Sequence, residues 1–392
     1  MLSTCGVLQL KYTNAILALF VILLIGCAPT APKEEKAPEA QALASIKIGV
    51  IAPLVGDEAA YGADVTAAVN LAVKEINSAG GVNGRQLEAI FENGGCNGKD
   101  ATTAATKLID VDKVPVIVGG YCSSETLGAA PLAEQAKVAL VSPASSNPSI
   151  SQAGDYIFRV TPSDAGQGTA IAEEIIKRGY HKVAVIVANT DYSLGLANAF
   201  KESFESKGGV IVVWEVYDRD SKDFRTQVAK ARASQPEAIY LSAYPVDGAL
   251  LVKQIRDLKM TMPLFGGEIF GSKDVVDAAG KENLEGLVYA TPKFDAESPK
   301  AKNFLSKAQQ VRGAELALPT FAADAYDAVY LIAEALKQKP GEEPSGTIVK
   351  DYLYTVKEWD GAGGRLTIDS NGDALKEFQT MYIHEGNFLK AP

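Results

Sequence analysis

The amino-acid sequence predicts an α/β protein with two lobes, each built on a parallel sheet flanked by helices. Two observations predict this fold class. Short β-rich runs alternate with longer runs of helical periodicity along most of the chain, and the alternation starts again near residue 165. The length of 392 residues, at 47% hydrophobic and 22% charged, is enough for two domains with sizeable cores.

The first segment predicts export. Lys11 precedes an apolar run from Ala15 to Ile25, which is too short to span a bilayer of about 30 Å but is typical of a signal peptide. The run ends at Gly26-Cys27 and resembles the lipobox of exported lipoproteins, in which residues 1–26 are removed and the cysteine is acylated. Two acyl chains on Cys27 would anchor the protein stably to the membrane. The alternative is an ordinary secretory signal with an incidental cysteine.

Residues 27–45 predict a lipidated cysteine followed by a flexible tether. Prolines stand there among lysines and glutamates, without hydrophobic periodicity. Because Cys5 leaves with the signal and Cys27 would be acylated, Cys96 and Cys122 remain as a pair in an oxidising compartment. We predict a disulfide between them, and two buried free thiols are the alternative.

The first set of elements follows from local patterns. Ile46–Leu54 is β-rich, and from Tyr61 to Ile76 the apolar residues follow helical spacing until Gly80-Gly81 ends the helix. The same reasoning predicts strands at 86–92, 115–119 and 138–141, and helices at 101–111 and 127–136. This alternation favours a parallel sheet covered on both faces, with ligands at the carboxyl ends of its strands.

The second set repeats the pattern and predicts the second lobe. Helices are predicted at 170–178, 196–207, 224–234 and 248–258, with strands at 182–187, 210–216, 238–241, 263–265 and 287–290. Three further helices, at 302–312, 322–337 and 348–356, follow without clear strands between them.

Composition and motifs disfavour several functions. The formal net charge of -10 opposes binding to a nucleic-acid backbone. With two histidines and no CxxC motif, the chain lacks the residues of a His- or Cys-based zinc site or of a Cys/His nucleophile pair. Nucleophile-elbow, dinucleotide-loop, phosphate-loop and zinc-protease motifs are absent as well. We therefore expect no enzyme, no cofactor and no metal; a carboxylate-pair hydrolase is the enzymatic alternative.

Small hydroxyls and aromatic residues follow the predicted strands. Ser123 comes after strand 115–119, where hydroxyls and the first N–H groups of the next helix could bind a carboxylate; a plain helix cap is the alternative. In the second lobe, Tyr192, Tyr244 and Glu268 follow three different strands. These positions predict a small-molecule site between the lobes.

Several of these segments together resemble the leucine-isoleucine-valine-binding protein family, the extracytoplasmic receptors of branched-chain amino-acid ABC importers. The resemblance runs from about Ile46 to Lys337, in the family's order and spacing. It is carried by the loop Gly56–Gly62 and by the segments AVNLAVKEINSAGGVNGR, YCSSET, SPASSNP, TPSDAGQG, DYSLG, LSAYPVDG, FGGEIF and AADAYDAVYLIAEAL. The final segment, Pro340–Pro392, matches only loosely.

The resemblance implies a type I periplasmic-binding-protein clamshell whose chain crosses the hinge three times. Residues 46–161 plus 291–363 would form lobe one, and residues 162–290 plus 364–392 would form lobe two. The late helices then rejoin lobe one, which explains why they lack strands of their own. The family's disulfide falls on Cys96 and Cys122, in agreement with the cysteine count.

The resemblance also implies ligand-binding residues. The α-carboxylate site falls on Ser123 and Ser146, and the α-ammonium site falls on the Ala144 carbonyl, the Ser146 hydroxyl and Glu268. Four aromatic residues match positions that line the side-chain pocket or close over the ligand: Tyr61, Tyr192, Tyr244 and Phe321.

We therefore predict a monomeric receptor that delivers an amino acid, with a branched aliphatic side chain, to the membrane subunits of an ABC importer. It would face the periplasm or the extracellular side and touch the membrane through its lipid anchor only. Ser145 and Asp324 could each recruit a polar ligand, so an amide or urea receptor is one alternative. A ligand sensor built on the same clamshell is another.

Overall fold

The structure of the chain is a computed structural model that describes residues 44–391. The predicted signal peptide, Cys27 and nearly all of the predicted tether lie outside the described residues. Within 44–391, no helix is both long enough and apolar enough to cross a membrane.

Strands and helices alternate over the described residues as predicted. The strands are β1 (Ile46–Ala52), β2 (Leu87–Asn93), β3 (Val116–Val118), β4 (Ala139–Ser142), β5 (Ile157–Arg159), β6 (Lys182–Ala188), β7 (Val210–Tyr217), β8 (Ala238–Ser242), β9 (Leu264–Gly266), β10 (Val288–Pro292), β11 (Trp359–Gly361), β12 (Gly364–Ile368), β13 (Ala374–Leu375), β14 (Phe378–His384) and β15 (Asn387–Lys390). The helices are α1 (Ala59–Ser78), α2 (Gly98–Thr106), α3 (Ser123–Ala136), α4 (Asp164–Lys177), α5 (Asp191–Ser206), α6 (Arg225–Ala233), α7 (Pro245–Asp257), α8 (Lys273–Ala279), α9 (Lys281–Leu284), α10 (Pro299–Arg312), α11 (Pro319–Lys337) and α12 (Gly346–Leu353).

Two large sheets organise the described chain. The first has five parallel strands in the order β2-β1-β3-β4-β5. The second has seven strands in the order β15-β14-β10-β9-β8-β6-β7. In this sheet β14 pairs antiparallel with both of its neighbours, β10 and β15. Central strands such as β6 are buried along all but their first residue, as expected for parallel sheets with helices on both faces.

The chain passes three times between the regions of these sheets. It leaves the first sheet after β5 and enters the second, and after β10 it returns to α10 and α11, which pack on α1. After β13 it goes back to β14. The late helices thus cover the first sheet and need no strands of their own.

The third passage lies later than the boundary predicted after residue 363. β12 pairs with β11 and β13, and Asp373 next to β13 binds the Arg159 guanidinium on β5, with Nε to Oδ1 at 2.7 Å. Residues 364–375 therefore lie with the first sheet, and the chain passes between Leu375 and Phe378. This largely buried ion pair joins segments too far apart in sequence for local patterns to reveal.

Two kinds of element differ from the sequence prediction. The strands β5 and β11 to β15 were not predicted. Five of them have only two to five residues and carry little periodicity, and the seven-residue β14 has a single buried residue, Ile383, so it shows no alternation of buried and exposed positions. Several helices begin earlier than predicted: α3 begins at Ser123 rather than Leu127, and α5 begins at Asp191 rather than Leu196. Their first turns are polar, so the apolar pattern starts one turn late.

Close packing positions the start of α1 at the end of the first strand. A Cβ atom added at Gly62 would overlap the carbonyl oxygen of Pro53, so only glycine allows this approach. The neighbouring Tyr61 is thereby placed at the carboxyl end of β1, with 4% of its surface exposed.

Candidate functional site

The candidate site is a cavity where the carboxyl ends of the two large sheets face each other. We term it the central cavity. It is lined by Tyr61, Tyr121, Cys122, Ser123, Ala144, Tyr192, Tyr244, Glu268, Ile269, Leu318 and Phe321.

Chain direction explains why these residues meet. Tyr121 to Ser123 follow β3, Ala144 follows β4, and Tyr192 follows β6 in the second sheet. Tyr244 and Glu268 likewise follow β8 and β9. Because parallel strands end at one edge of their sheet, residues distant in sequence come together there.

Seven of the nine residues predicted to bind ligand line the central cavity. They are Tyr61, Ser123, Ala144, Tyr192, Tyr244, Glu268 and Phe321. Ser145 and Ser146 are not among the lining residues. The ligand contacts of all nine stay predictions.

The Ser145 and Ser146 hydroxyls join parts of the fold. The Ser145 hydroxyl lies 2.9 Å from the Gly120 carbonyl oxygen and 2.7 Å from the Thr126 hydroxyl, so it joins the loops after β3 and β4. The Ser146 hydroxyl donates to Oδ2 of Asp164 at 2.8 Å. Neighbouring loop residues point in different directions, which sequence position alone does not reveal.

Ser123 supplies the part of the cavity suited to an anion. It is the first residue of α3, is 1% exposed, and its hydroxyl accepts a hydrogen bond from the Asn147 backbone at 3.2 Å. The N-terminus of a helix presents N–H groups without intrahelical partners and the positive end of the helix dipole. A carboxylate is therefore favoured beside Ser123.

Glu268 makes another part of the cavity suited to a cation, and Asp164, a second buried carboxyl group, lies near Glu268 without lining the cavity. Oε2 of Glu268 accepts a hydrogen bond from Gln167 at 2.5 Å, and burial raises the pKa of Glu268 although the Gln167 amide opposes this. Burial also raises the pKa of Asp164, and the nearby Glu268 adds to the increase. Oδ1 of Asp164 is buried without a hydrogen-bond partner among the described residues. A cation between these groups would relieve the cost of burying them.

The sequence analysis did not single out Asp164 as a site residue. Its signal was the TPSDAGQG segment, in which Asp164 follows a Ser that caps α4. A helix cap and the start of a polar first turn explain such a pattern equally well, so only the contact with Ser146 identifies its position.

Aromatic rings form most of the remaining wall. The rings of Tyr61 and Tyr121 stack with centroids 5.6 Å apart, and Phe321 meets Tyr121 edge-on at 6.1 Å. On the other side, the rings of Tyr192 and Tyr244 lie 5.3 Å apart. Burial raises the pKa of all four tyrosines, so they are neutral at physiological pH.

Four lining residues were not predicted to bind ligand: Tyr121, Cys122, Ile269 and Leu318, of which Cys122 was predicted only as a disulfide partner. Tyr121 and Ile269 stand beside predicted residues in the same loops, which was the available signal. Leu318 precedes α11 and is brought in by the return of the chain to the first sheet.

Cys96 and Cys122 lie together next to the cavity. Their Cα atoms are 5.1 Å apart, within the range of a disulfide. Glu125 accepts hydrogen bonds from the backbone N–H groups of both cysteines, at 2.9 Å and 3.0 Å. The three side chains could hold a metal ion only with free thiols, because a bridged pair has no thiolate to offer.

Asp324 does not line the central cavity. It is fully buried on α11 in an ion pair with Lys376, whose side chain is 3% exposed. Burial raises the pKa of Asp324 to about 7, although Lys376 opposes the shift. With this partner inside the fold, Asp324 does not provide the polar contact to a ligand that the sequence left open.

Comparison with known proteins gives consistent matches. A sequence profile of the periplasmic binding protein family matches residues 45–387. The chain is 30% identical over 345 residues to the leucine-, isoleucine-, valine-, threonine-, and alanine-binding protein of Pseudomonas aeruginosa, and this alignment covers 86% of the chain and 89% of that protein.

Two crystal structures are similar over nearly the same span. The leucine binding protein of Thermotoga maritima has a TM-score of 0.80 and 29% identity, covering 88% of this chain and 98% of that one. A branched-chain amino acid transporter substrate binding protein of Streptococcus pneumoniae, in complex with isoleucine, has a TM-score of 0.79 and 30% identity. That match covers 88% of this chain and 97% of the other. These relatives are described as binding proteins and not as enzymes.

Proposed function

Because the chain belongs to the periplasmic binding protein family, we propose that it is the extracytoplasmic receptor of an ABC importer for an amino acid with a branched aliphatic side chain. Its fold is the type I fold of that family. The observation that carries the proposal is the lining of the central cavity, which combines the start of helix α3, the buried acid Glu268 and an apolar wall.

The two ends of the cavity suit the two charges of an amino acid. A zwitterion leaves water at tolerable cost only if each charge finds charge-assisted hydrogen bonds. Ser123 and the N-terminus of α3 would bind the carboxylate, while Glu268 and the Ala144 carbonyl would bind the ammonium. Ser146 would act on the same group through Asp164, to which it is hydrogen-bonded.

The remaining wall suits an uncharged side chain. Ile269, Leu318 and Phe321 offer apolar surface, and the tyrosines offer ring faces. No lysine or arginine lines the central cavity within the described residues, so an acidic side chain would find no cationic partner there. An aliphatic side chain gains from such a wall by leaving water.

The two sheets with their helices would act as the lobes of a clamshell. We assign residues 46–161 with 293–375 to lobe one and residues 162–292 with 376–391 to lobe two, a small revision of the predicted division that keeps β10 whole. The ligand would stabilise the closed form by binding it better than the open form. The closed monomer would then dock on the membrane subunits of the importer.

Export and anchoring form the outer part of the proposal. The signal pattern before Cys27 supports attachment through a diacylated cysteine, with the receptor on the outer side of the membrane. The approach of Cys96 to Cys122 supports a disulfide in that oxidising location.

A thermal-shift screen tests the function. The purified protein is heated with each of the twenty amino acids and with urea, short amides and γ-aminobutyrate. A ligand at 100 times its dissociation constant stabilises by about 2.7 kcal/mol, so selective shifts by leucine, isoleucine or valine are expected. A shift by urea or an amide alone would contradict the amino-acid assignment, and no shift at all would contradict the receptor function.

A further inference from the structure

Two loops from opposite sheets meet beside the central cavity. The loop before α1 carries the acidic pair Asp57-Glu58, and the loop after β7 carries the basic residues Arg219 and Lys222. Each loop follows a strand end, β1 in the first sheet and β7 in the second. The loop after β7 also contains Asp218, Asp220 and Asp223, so the attraction across the boundary between the proposed lobes is between individual side chains.

Arg219 makes the main contacts between these loops. Its guanidinium forms an ion pair with Glu58, and its Nη1 donates to the carbonyl oxygen of Cys96 at 3.2 Å. The guanidinium carbon also lies 4.3 Å from the centre of the Tyr244 ring. We term these four residues the Arg219 cluster. Arg219 thus touches its own lobe through Tyr244 and the opposite lobe through the other two.

Every partner of Arg219 either lines the central cavity or contacts a residue that lines it. Tyr244 itself lines the cavity, and the Glu58 carbonyl accepts the hydrogen bond of the Tyr61 backbone at 3.0 Å. Cys96 lies against Cys122, another lining residue. The position of one guanidinium is therefore coupled to three parts of the wall that it does not itself line.

Burial makes this ion pair different from its neighbour. The Glu58 side chain is 6% exposed and that of Arg219 is 23% exposed, whereas Lys222 and Asp57 are about 60% exposed and their charged atoms lie 4.0 Å apart. Exposed pairs contribute little. A buried carboxylate without its partner is costly, so the closed arrangement depends on Arg219 being in place.

The chemistry of arginine suits this position. Its planar guanidinium can bind Glu58 and the Cys96 carbonyl in its plane while its face stacks on Tyr244. A lysine at the same place has no planar face and no fork of donors. In an opened clamshell, Arg219 and Glu58 would separate and regain water.

We propose that Arg219 is a positioning residue that holds the lobes closed over the bound ligand. This inference rests on the proposed function, since it assumes that the lobes close on an amino acid. Arg219 acts after the ligand has entered, so its loss accelerates release of the ligand much more than it slows entry.

Stopped-flow kinetics with leucine test the inference. Arg219→Gln and Glu58→Gln should each raise the dissociation rate constant about ten-fold or more, while the association rate constant changes by less than about three-fold. The double variant should be no worse than Arg219→Gln alone, because Glu58 acts through its contact with Arg219. Arg219→Lys should recover only part of the loss.

Lys222→Gln is the matched control in the same loop, and its dissociation rate should stay within about two-fold of that of the unaltered protein. An unchanged dissociation rate in Arg219→Gln would overturn the inference. Multiplying effects of the two single variants in the double variant would do the same.

A separate readout keeps the test independent of the proposed function. If calorimetry shows that leucine does not bind the unaltered protein, that function fails, and the radius of gyration of the free protein decides the role of Arg219. Small-angle scattering should then show Arg219→Gln and Glu58→Gln to be more open than the unaltered protein and Lys222→Gln. Equal radii in all four would overturn the inference.

Discussion

Glu268 is the residue on which the proposed head-group recognition depends most. Its carboxyl group is 5% exposed, lies in the cavity wall and has a neutral amide, Gln167, as its hydrogen-bond donor. No lysine or arginine pairs with it within residues 44–391. An ammonium group of the ligand would be its natural counter-charge.

Glu268→Gln should therefore weaken binding of the amino acid by about 2 to 5 kcal/mol, because the buried ammonium loses the carboxylate that lines the cavity. Calorimetric titration measures the change. Glu297→Gln, which removes a surface carboxylate paired with Lys302, is the control and should leave affinity unchanged. A loss below about 0.5 kcal/mol in Glu268→Gln would mean that the ammonium binds elsewhere.

At the scale of elements, helix starts place several site residues. Thr190 caps α5, and its hydroxyl accepts a hydrogen bond from the Ser193 backbone at 3.1 Å. This cap fixes the first turn of the helix, which carries Tyr192 into the cavity wall. The same polar turn is the reason why the apolar pattern predicted a later start for the helix.

Thr190→Ala should lower the free energy of unfolding by about 1 kcal/mol, because one backbone N–H of α5 loses its partner. Urea denaturation followed by circular dichroism measures the change. Thr190→Ser keeps the hydroxyl and should retain most of the stability. Equal stability of the alanine and serine variants would show that the hydroxyl does not cap the helix.

At the scale of the whole molecule, buried carboxyl groups determine how stability depends on pH. Burial raises the pKa of Glu125 and Asp324 to about 7, and the pKa of Asp247 and Asp327 to about 6. In the unfolded chain these groups have ordinary values of about 4. Between these values the folded state binds more protons than the unfolded state.

Linkage then makes the free energy of unfolding fall as the pH rises from 5 to 8, by up to about 1.4 kcal/mol for each unit of raised pKa. Calorimetry of the ligand-free protein at constant ionic strength should show the highest melting temperature near pH 5. His384→Gln serves as the control, because Glu285 raises the pKa of His384 and this acts in the same direction. A melting temperature that increases towards pH 8 would contradict the raised pKa values of these buried carboxyl groups.

Local patterns were sufficient to predict the alternation of strands and helices, because burial on a helix or strand repeats with a short period. Positions after predicted strands also indicated four residues that line the cavity, Ser123, Tyr192, Tyr244 and Glu268, since strand ends in a parallel sheet are where ligands bind. The other three predicted residues that line it, Tyr61, Ala144 and Phe321, came from the resemblance to the family. The family followed from ordered segments that were each weak alone. These conclusions need only local residue patterns and the order of the segments along the chain.

The tertiary structure alone decided the rest. In the structure the Ser145 hydroxyl is hydrogen-bonded to the Gly120 carbonyl, and Asp324 forms an ion pair with Lys376. Leu318 lies at the cavity because the chain returns to the first sheet. The tertiary structure also placed Arg219 against Glu58, more than a hundred residues earlier in the chain. Such pairings depend on long-range packing and on which buried charges meet, and neither leaves a periodic signal in the sequence.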